Sequence, residues 1–159
     1  MGKEHDLSFL AQAVDLAIHG VEQGAGGPFG CVIVKNGQVV GQGNNRVTVD
    51  NDPTAHAEVV AIRDACKKLG SFQLEGCTVY ASCEPCPMCL GAIYWARPDR
   101  VVYAATRFTA AEAGFDDQFI YEELDRPVAG RKIPFTHFPD ERLLVPFDYW
   151  KRRGDKTLY

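Results

Sequence analysis

Two short segments, His56-Ala57-Glu58 and Pro85-Cys86-Pro87-Met88-Cys89, constrain this chain more than any other feature. One imidazole and two thiolates can grip a zinc ion at three corners of a tetrahedron and leave the fourth open to water. A carboxylate beside them that is not itself a ligand can then move protons for that water. The fold must therefore bring both segments to one point. Each lies where a helix is predicted to begin, and the partial positive charge of a helix N-terminus favours thiolates. The i, i+3 spacing of Cys86 and Cys89 puts both sulfurs on one helix face. Charge balances as well, because two thiolates cancel the 2+ of zinc and neutral imidazole adds nothing. Glu58 stands two positions after His56, which on an ideal helix would point it away. His56 sits at the helix entry, however, so both side chains can still face one cavity.

Cys83 offers a competing arrangement, a closed structural zinc module with His56, Cys83, Cys86 and Cys89 all as ligands. Two features argue against it. Glu58 would have no role, and Pro85 aligns with Cys86 and Cys89 while Cys83 precedes the helix.

Around these segments the pattern alternates helices and strands. Phe9, Leu10, Ala13, Val14, Ala17 and Ile18 predict an amphipathic helix over 8–19, ended by Gly20. Gly24–Pro28 reads as a turn. Strands over 29–35 and 38–42 are joined by Asn36-Gly37, a hairpin signal. A polar loop over 43–52 precedes a helix over 55–68, capped by Asp52 or Thr54 and stopped by Gly70. A strand follows at 77–82, then a helix with Pro85 in its first turn, running to about Ala96. The remainder reads as a strand at 100–104, a short helix at 110–113, a loop at 115–119, a last strand at 133–138 and a last helix at 146–153. Such alternation implies a sheet sandwiched between helices, and 159 residues suit a single domain.

Composition excludes several function classes. The chain is 46% hydrophobic and 24% charged, as soluble globular proteins are. No apolar run approaches the roughly 20 residues a membrane span needs. The N-terminus lacks a signal peptide's apolar core, so the cytoplasm is the expected compartment and no membrane partner is expected. A net charge of −4 without a basic run gives little to attract nucleic acid. Lys67-Lys68 and Lys151-Arg152-Arg153 read as solvated surface. Three of six cysteines crowd into Cys83–Cys89, which in a reducing compartment signals metal and not disulfides. Cys31, Cys66 and Cys77 are expected to be small buried hydrophobes.

With these residues in place, the chain resembles the cytidine and deoxycytidylate deaminase superfamily. The signature of that group is H-x-E followed by P-C-x-x-C. Gly26–Gly30, Asn51–Glu58, Ala92–Pro98 and Glu112–Asp117 make it most similar to the bacterial guanine deaminase branch, along nearly the whole chain. The resemblance implies an α/β fold of three layers, α/β/α, around a five-stranded mixed sheet. It implies one Zn2+ per chain on His56, Cys86 and Cys89, with Glu58 as the catalytic acid–base, hydrolysing guanine to xanthine and ammonia. It further implies a homodimer that exchanges C-terminal segments, roughly residues 140–159, so that Tyr159 closes the partner's site.

The same resemblance suggests how a purine base would be held. Asn45 and the Ala57 backbone amide would meet its polar edge. Asp117, in preference to Asp116, would accept from ring N–H groups, and Phe29 and Trp95 would stack on it. Each has a plainer reading: Asn45 could hold its own turn, the aspartates could cap a following helix, Phe29 and Trp95 could be core, and Tyr159 could be a frayed end. Other branches, the tRNA adenosine deaminases and the cytosine or nucleoside deaminases, share the zinc chemistry. The net charge and the acidic Glu122-Glu123-Leu124-Asp125 segment argue against an RNA substrate, and the intact Glu58 argues against a catalytically silent deaminase-like protein.

Overall fold

From the N-terminal side, α1 (Lys3–Glu22) leads into a hairpin of β1 (Gly30–Lys35) and β2 (Gln38–Asn44). Asn36 and Gly37 both take positive φ, 52° and 77°, the two-residue turn whose twist matches that of its strands. The chain continues through α2 (Val47–Asp50) and α3 (Ala57–Leu69) to β3 (Cys77–Cys83), then α4 (Pro87–Ala96), β4 (Arg100–Ala105) and α5 (Arg107–Glu112). β3 adds antiparallel to β1, and β4 pairs parallel with β3 across the α4 crossover. The result is a mixed sheet of four strands in the order β2-β1-β3-β4. This computed structural model describes residues 2–159, which form two compact units, one ending at Gln118 and one spanning Phe119–Tyr159.

Strand alternation builds the three layers. Cys31, Ile33, Cys77 and Val79 face one side, where they pack on Ala57, Ala61 and Ala65 of α3 and on Ala96 of α4. Val32, Val34 and Tyr80 face the other and pack on Phe9 of α1. Every residue of β3 is buried, as a central strand covered on both faces requires. The seating of α3 is unusually close. A Cβ on Gly43 would lie 2.7 Å from the Ala57 carbonyl oxygen, so the missing side chain in β2 sets where α3 begins. Asp6 fastens α1 from its first turn. It accepts from the buried Tyr80 hydroxyl at 2.7 Å and from both Arg100 guanidinium nitrogens at 3.1 and 2.7 Å.

Several elements differ from their sequence expectation. The sheet has four strands and not five, because Ile133–Phe138 forms no strand. Pro134 removes a ladder donor inside that run. α1 starts at Lys3 and passes through Gly20, which is buried with the Asn44 side chain where a Cβ would go. His56 occupies the N-cap position of α3 without a side-chain capping hydrogen bond, and Asp52 folds the preceding turn by accepting from the Thr54 amide and hydroxyl at 2.8 and 2.7 Å. Pro87, not Pro85, is the first helical residue of α4. The 43–52 segment completes β2 and contains α2, and α5 begins three residues before the predicted short helix. The 115–119 loop gives way to α6 (Gln118–Asp125), whose first amide is capped by Asp116.

The second unit continues from α6 through 3₁₀ turns at Val128–Gly130 and Glu141–Leu144 to α7 (Val145–Arg152). None of Phe119–Tyr159 is buried. No helix among the described residues is long and apolar enough to cross a membrane.

Candidate metal centre

His56 and Cys86 occupy equivalent places, each the extended residue just before a helix. Their backbones are at φ −69°, ψ 155° and φ −64°, ψ 168°. α3 and α4 lie on the same face of the sheet, so their N-termini converge. His56 Nδ1 lies 3.6 Å from Cys86 Sγ and 3.5 Å from Cys89 Sγ, and the three donor atoms all fall within 4.8 Å of one another. A tetrahedral zinc with N and S ligands at about 2.0 and 2.3 Å would hold them about 3.5 Å apart. The donor set therefore fits zinc in spacing as well as in chemistry.

The sulfurs are electrostatically unlike. A hydrogen bond from Cys89, joined by His56, holds Cys86 down to about 4 despite its burial. The same bond from the other side, together with burial, pushes Cys89 up. The Cys86 contact also raises His56.

Glu58 is 7% exposed and hydrogen-bonds toward Cys89, but it is outside the three-donor group. Burial, more than any neighbour, raises its pKa. The extended backbone at His56 answers the geometric question the sequence left open: the histidine has not yet entered the helix, so it and Glu58 can approach the same sulfurs. Cys83 lies elsewhere. Its thiol donates to Thr106 O at 3.5 Å and is pushed up by burial to about 11. Among the described residues the closed four-ligand module is therefore not formed.

The residues expected to meet a substrate differ in their surroundings. Asn45 is buried beside the metal segment, tied to it by the Arg46 amide donating to Ala55 O at 2.9 Å. Its Oδ1 accepts from the Gly27 and Val47 amides, both at 3.2 Å, so the oxygen holds the loop and only Nδ2 can serve a ligand. Ala57 is the first residue of α3, and its N–H has no intrahelical acceptor. Phe29 is half-buried against the core, with its ring 5.0 Å from that of Phe115 in an edge-on contact. Asp117 is half-buried, and its pKa is raised by burial and then by the charge of Cys86. Asp116 is exposed and caps α6 through Oδ1 at 2.9 Å. Trp95 is 64% exposed, which excludes a place in the core. Tyr159 belongs to the second unit, where it is exposed. Phe115 and Glu84 were not anticipated. The Phe29–Phe115 contact depends on tertiary packing, and nothing local distinguishes Glu84 from the motif around it.

Comparison with known proteins agrees with this geometry. Residues 3–105 match the family model described as cytidine and deoxycytidylate deaminase zinc-binding region. A guanine deaminase from Bacillus subtilis is 59% identical over 152 residues, covering 96% of this chain and 97% of its own. A tRNA-specific adenosine deaminase from Aquifex aeolicus is 36% identical over 141 residues, covering 89% and 88%. An X-ray structure of guanine deaminase from Bacillus subtilis superposes with a TM-score of 0.95 at 57% identity, covering 100% of this chain and 99% of that one.

Proposed function

The chain belongs to the cytidine and deoxycytidylate deaminase family, and from that membership we propose that it hydrolyses guanine to xanthine and ammonia. The observation that carries this reading is the 59% identity to a guanine deaminase along almost the full length of both chains, against 36% for a tRNA-acting relative. His56, Cys86 and Cys89 would hold one zinc ion. When bound, zinc supplies a Lewis acid that lets water act as a nucleophile near neutral pH.

The chain's own residues supply the rest. Glu58 takes a proton from the attacking water and passes it to ring N3. It then takes the second proton from the hydroxyl now on C2 and gives it to the amine, so that the C2–O double bond forms as the C2–N bond breaks and ammonia departs. Its burial, which raises its proton affinity, suits a group that must both take and give a proton. With Oδ1 engaged, Asn45 acts on the purine as a donor through Nδ2. The Ala57 amide is a second donor at the same edge. Asp117 accepts from ring N–H groups; Asp116 is the weaker choice because its oxygen already caps α6. Phe29 and Trp95 stack on the base.

A homodimer with exchanged C-terminal segments, roughly residues 140–159, completes the reading. In it the partner's Tyr159 closes each site. Phe138 and Phe147 are 73% and 65% exposed, and no residue of Phe119–Tyr159 is buried, so this unit's apolar surface calls for a cover. A cytoplasmic location accords with six cysteines, none in a disulfide.

Ammonia release by the zinc-loaded protein, measured over guanine, guanosine, adenine, cytosine and cytidine, tests the proposal. Guanine should be turned over fastest by a wide margin. Preference for a pyrimidine, for adenine or for the nucleoside would overturn it.

A further inference from the structure

The short helix α5 runs into the Asp117 loop without slack. Its end closes as a Schellman motif. Phe115 N–H donates to Ala110 O and Gly114 N–H to Ala111 O, each at 2.9 Å, with Gly114 in the left-handed region at φ +93°. Asp116 Oδ1 then accepts from Gln118 N–H. Both ends of the loop are thus fixed, and Asp117 goes where α5 goes.

Three hydrogen bonds seat α5 on the segment that leads to the cysteine ligands. Glu84 N–H donates to Ala105 O at 2.8 Å, Cys83 Sγ–H to Thr106 O at 3.5 Å, and Arg107 N–H to Glu84 Oε2 at 3.0 Å. The third differs in kind. Arg107 is the first residue of α5, and its N–H has no acceptor within the helix. Thr106, the N-cap, already accepts from Thr109 N–H through Oγ1 at 3.4 Å. A carboxylate two residues before Cys86 therefore caps the helix that delivers Asp117, and charge-assisted caps of this kind are the stronger hydrogen bonds.

We propose that Glu84 is a positioning residue, holding the Asp117 loop at a fixed distance from the cysteine ligands by capping α5 at Arg107. This rests on the guanine reading above, because it takes Asp117 as the acid that meets the purine. A base whose C2 must lie at the metal centre while its ring N–H meets Asp117 requires that distance to be constant. Without the cap, α5 and its loop can shift while His56, Cys86 and Cys89 keep their places.

The test uses the zinc-loaded full chain. In Glu84→Ala, guanine KM should rise about tenfold while kcat changes by less than about threefold. Zinc should stay at one per chain, and amide exchange over Arg107–Glu112 should accelerate. Glu84→Gln, which keeps an acceptor oxygen, should restore most of the native KM. In an Asp117→Ala background, Glu84→Ala should add less than about twofold to KM, since the two act through one contact. An unchanged KM, additive effects in the double variant, or loss of zinc would overturn the proposal. Should Glu84→Ala not fold, Glu84→Asp, one methylene short of Arg107, should show the KM rise, and a native KM there overturns it equally. If the native protein does not act on guanine, the functional reading fails by itself. Amide exchange at Arg107 still reports the tether.

Discussion

Glu58→Gln separates chemistry from structure more cleanly than any other single change. The carboxylate is 7% exposed, and burial is the chief cause of its raised pKa, so its ionised form is disfavoured where it sits. Glutamine has nearly the same volume and no charge. The variant therefore leaves no cavity and removes a desolvation penalty, and the metal-free protein should unfold at the same or a higher temperature. Turnover should move the other way. One general acid–base group contributes about 10²–10⁴-fold, and Glu58 handles a proton in both attack and departure. The loss should reach on the order of 10⁴-fold, about 5.5 kcal/mol of barrier at about 1.36 kcal/mol per tenfold. Zinc should remain at one per chain, because Glu58 is outside the donor group. The assay is xanthine formation at matched zinc content, beside a thermal melt. Turnover within about tenfold of native, or a loss of metal, would refute the reasoning.

Other perturbations probe the loop, the scaffold and the assembly. Gly26→Ala would place a Cβ 2.1 Å from Asn45 Oδ1, displacing the carboxamide and its two hydrogen bonds. At about 0.5–1.5 kcal/mol per bond this is a stability loss of about 1–3 kcal/mol by denaturant titration, with a raised guanine KM and zinc retained. Hydrogen bonds from Arg100 and Tyr80 hold Asp6 below the usual carboxylate range. Its stabilisation is therefore present above the unfolded carboxylate pKa and lost as pH falls through the lowered folded value. Native protein and Asp6→Asn should differ in melting temperature at neutral pH and converge in acid; a gap that persists in acid would show that Asp6 acts otherwise. Removing Tyr159 should abolish most guanine turnover. Mixing that chain with Glu58→Gln should restore activity in heterodimers that pair an intact Glu58 with the partner's Tyr159, and no recovery would exclude the exchange.

The metal centre was legible because its signals are local. Histidine, two cysteines and an adjacent proline mark helix starts, and the structure places His56 and Cys86 as the residues that precede α3 and α4. The hairpin was legible for the same reason, since Asn36-Gly37 favours one turn type. What escaped depends on partners distant in sequence. α1 begins early because Asp6 finds Tyr80 and Arg100, and Gly20 does not end it because Asn44 packs there. The 133–138 run has strand-like residues, but alternation alone cannot form a strand where Pro134 lacks a donor. Glu84 resembles any acidic residue in a motif until Arg107, remote in sequence, is seen to donate to it. Asn45 shows a subtler limit: its oxygen holds the loop, as its plainer reading expected, so the proposed contact with a purine falls to its nitrogen.

Zinc-edge X-ray absorption on the loaded protein counts the sulfurs around the metal and so bears most directly on the open site. Two sulfurs at about 2.3 Å, with nitrogen and oxygen in the other two positions, are expected, and Cys83→Ser should leave that count unchanged. Three sulfurs, falling to two in Cys83→Ser, would contradict it.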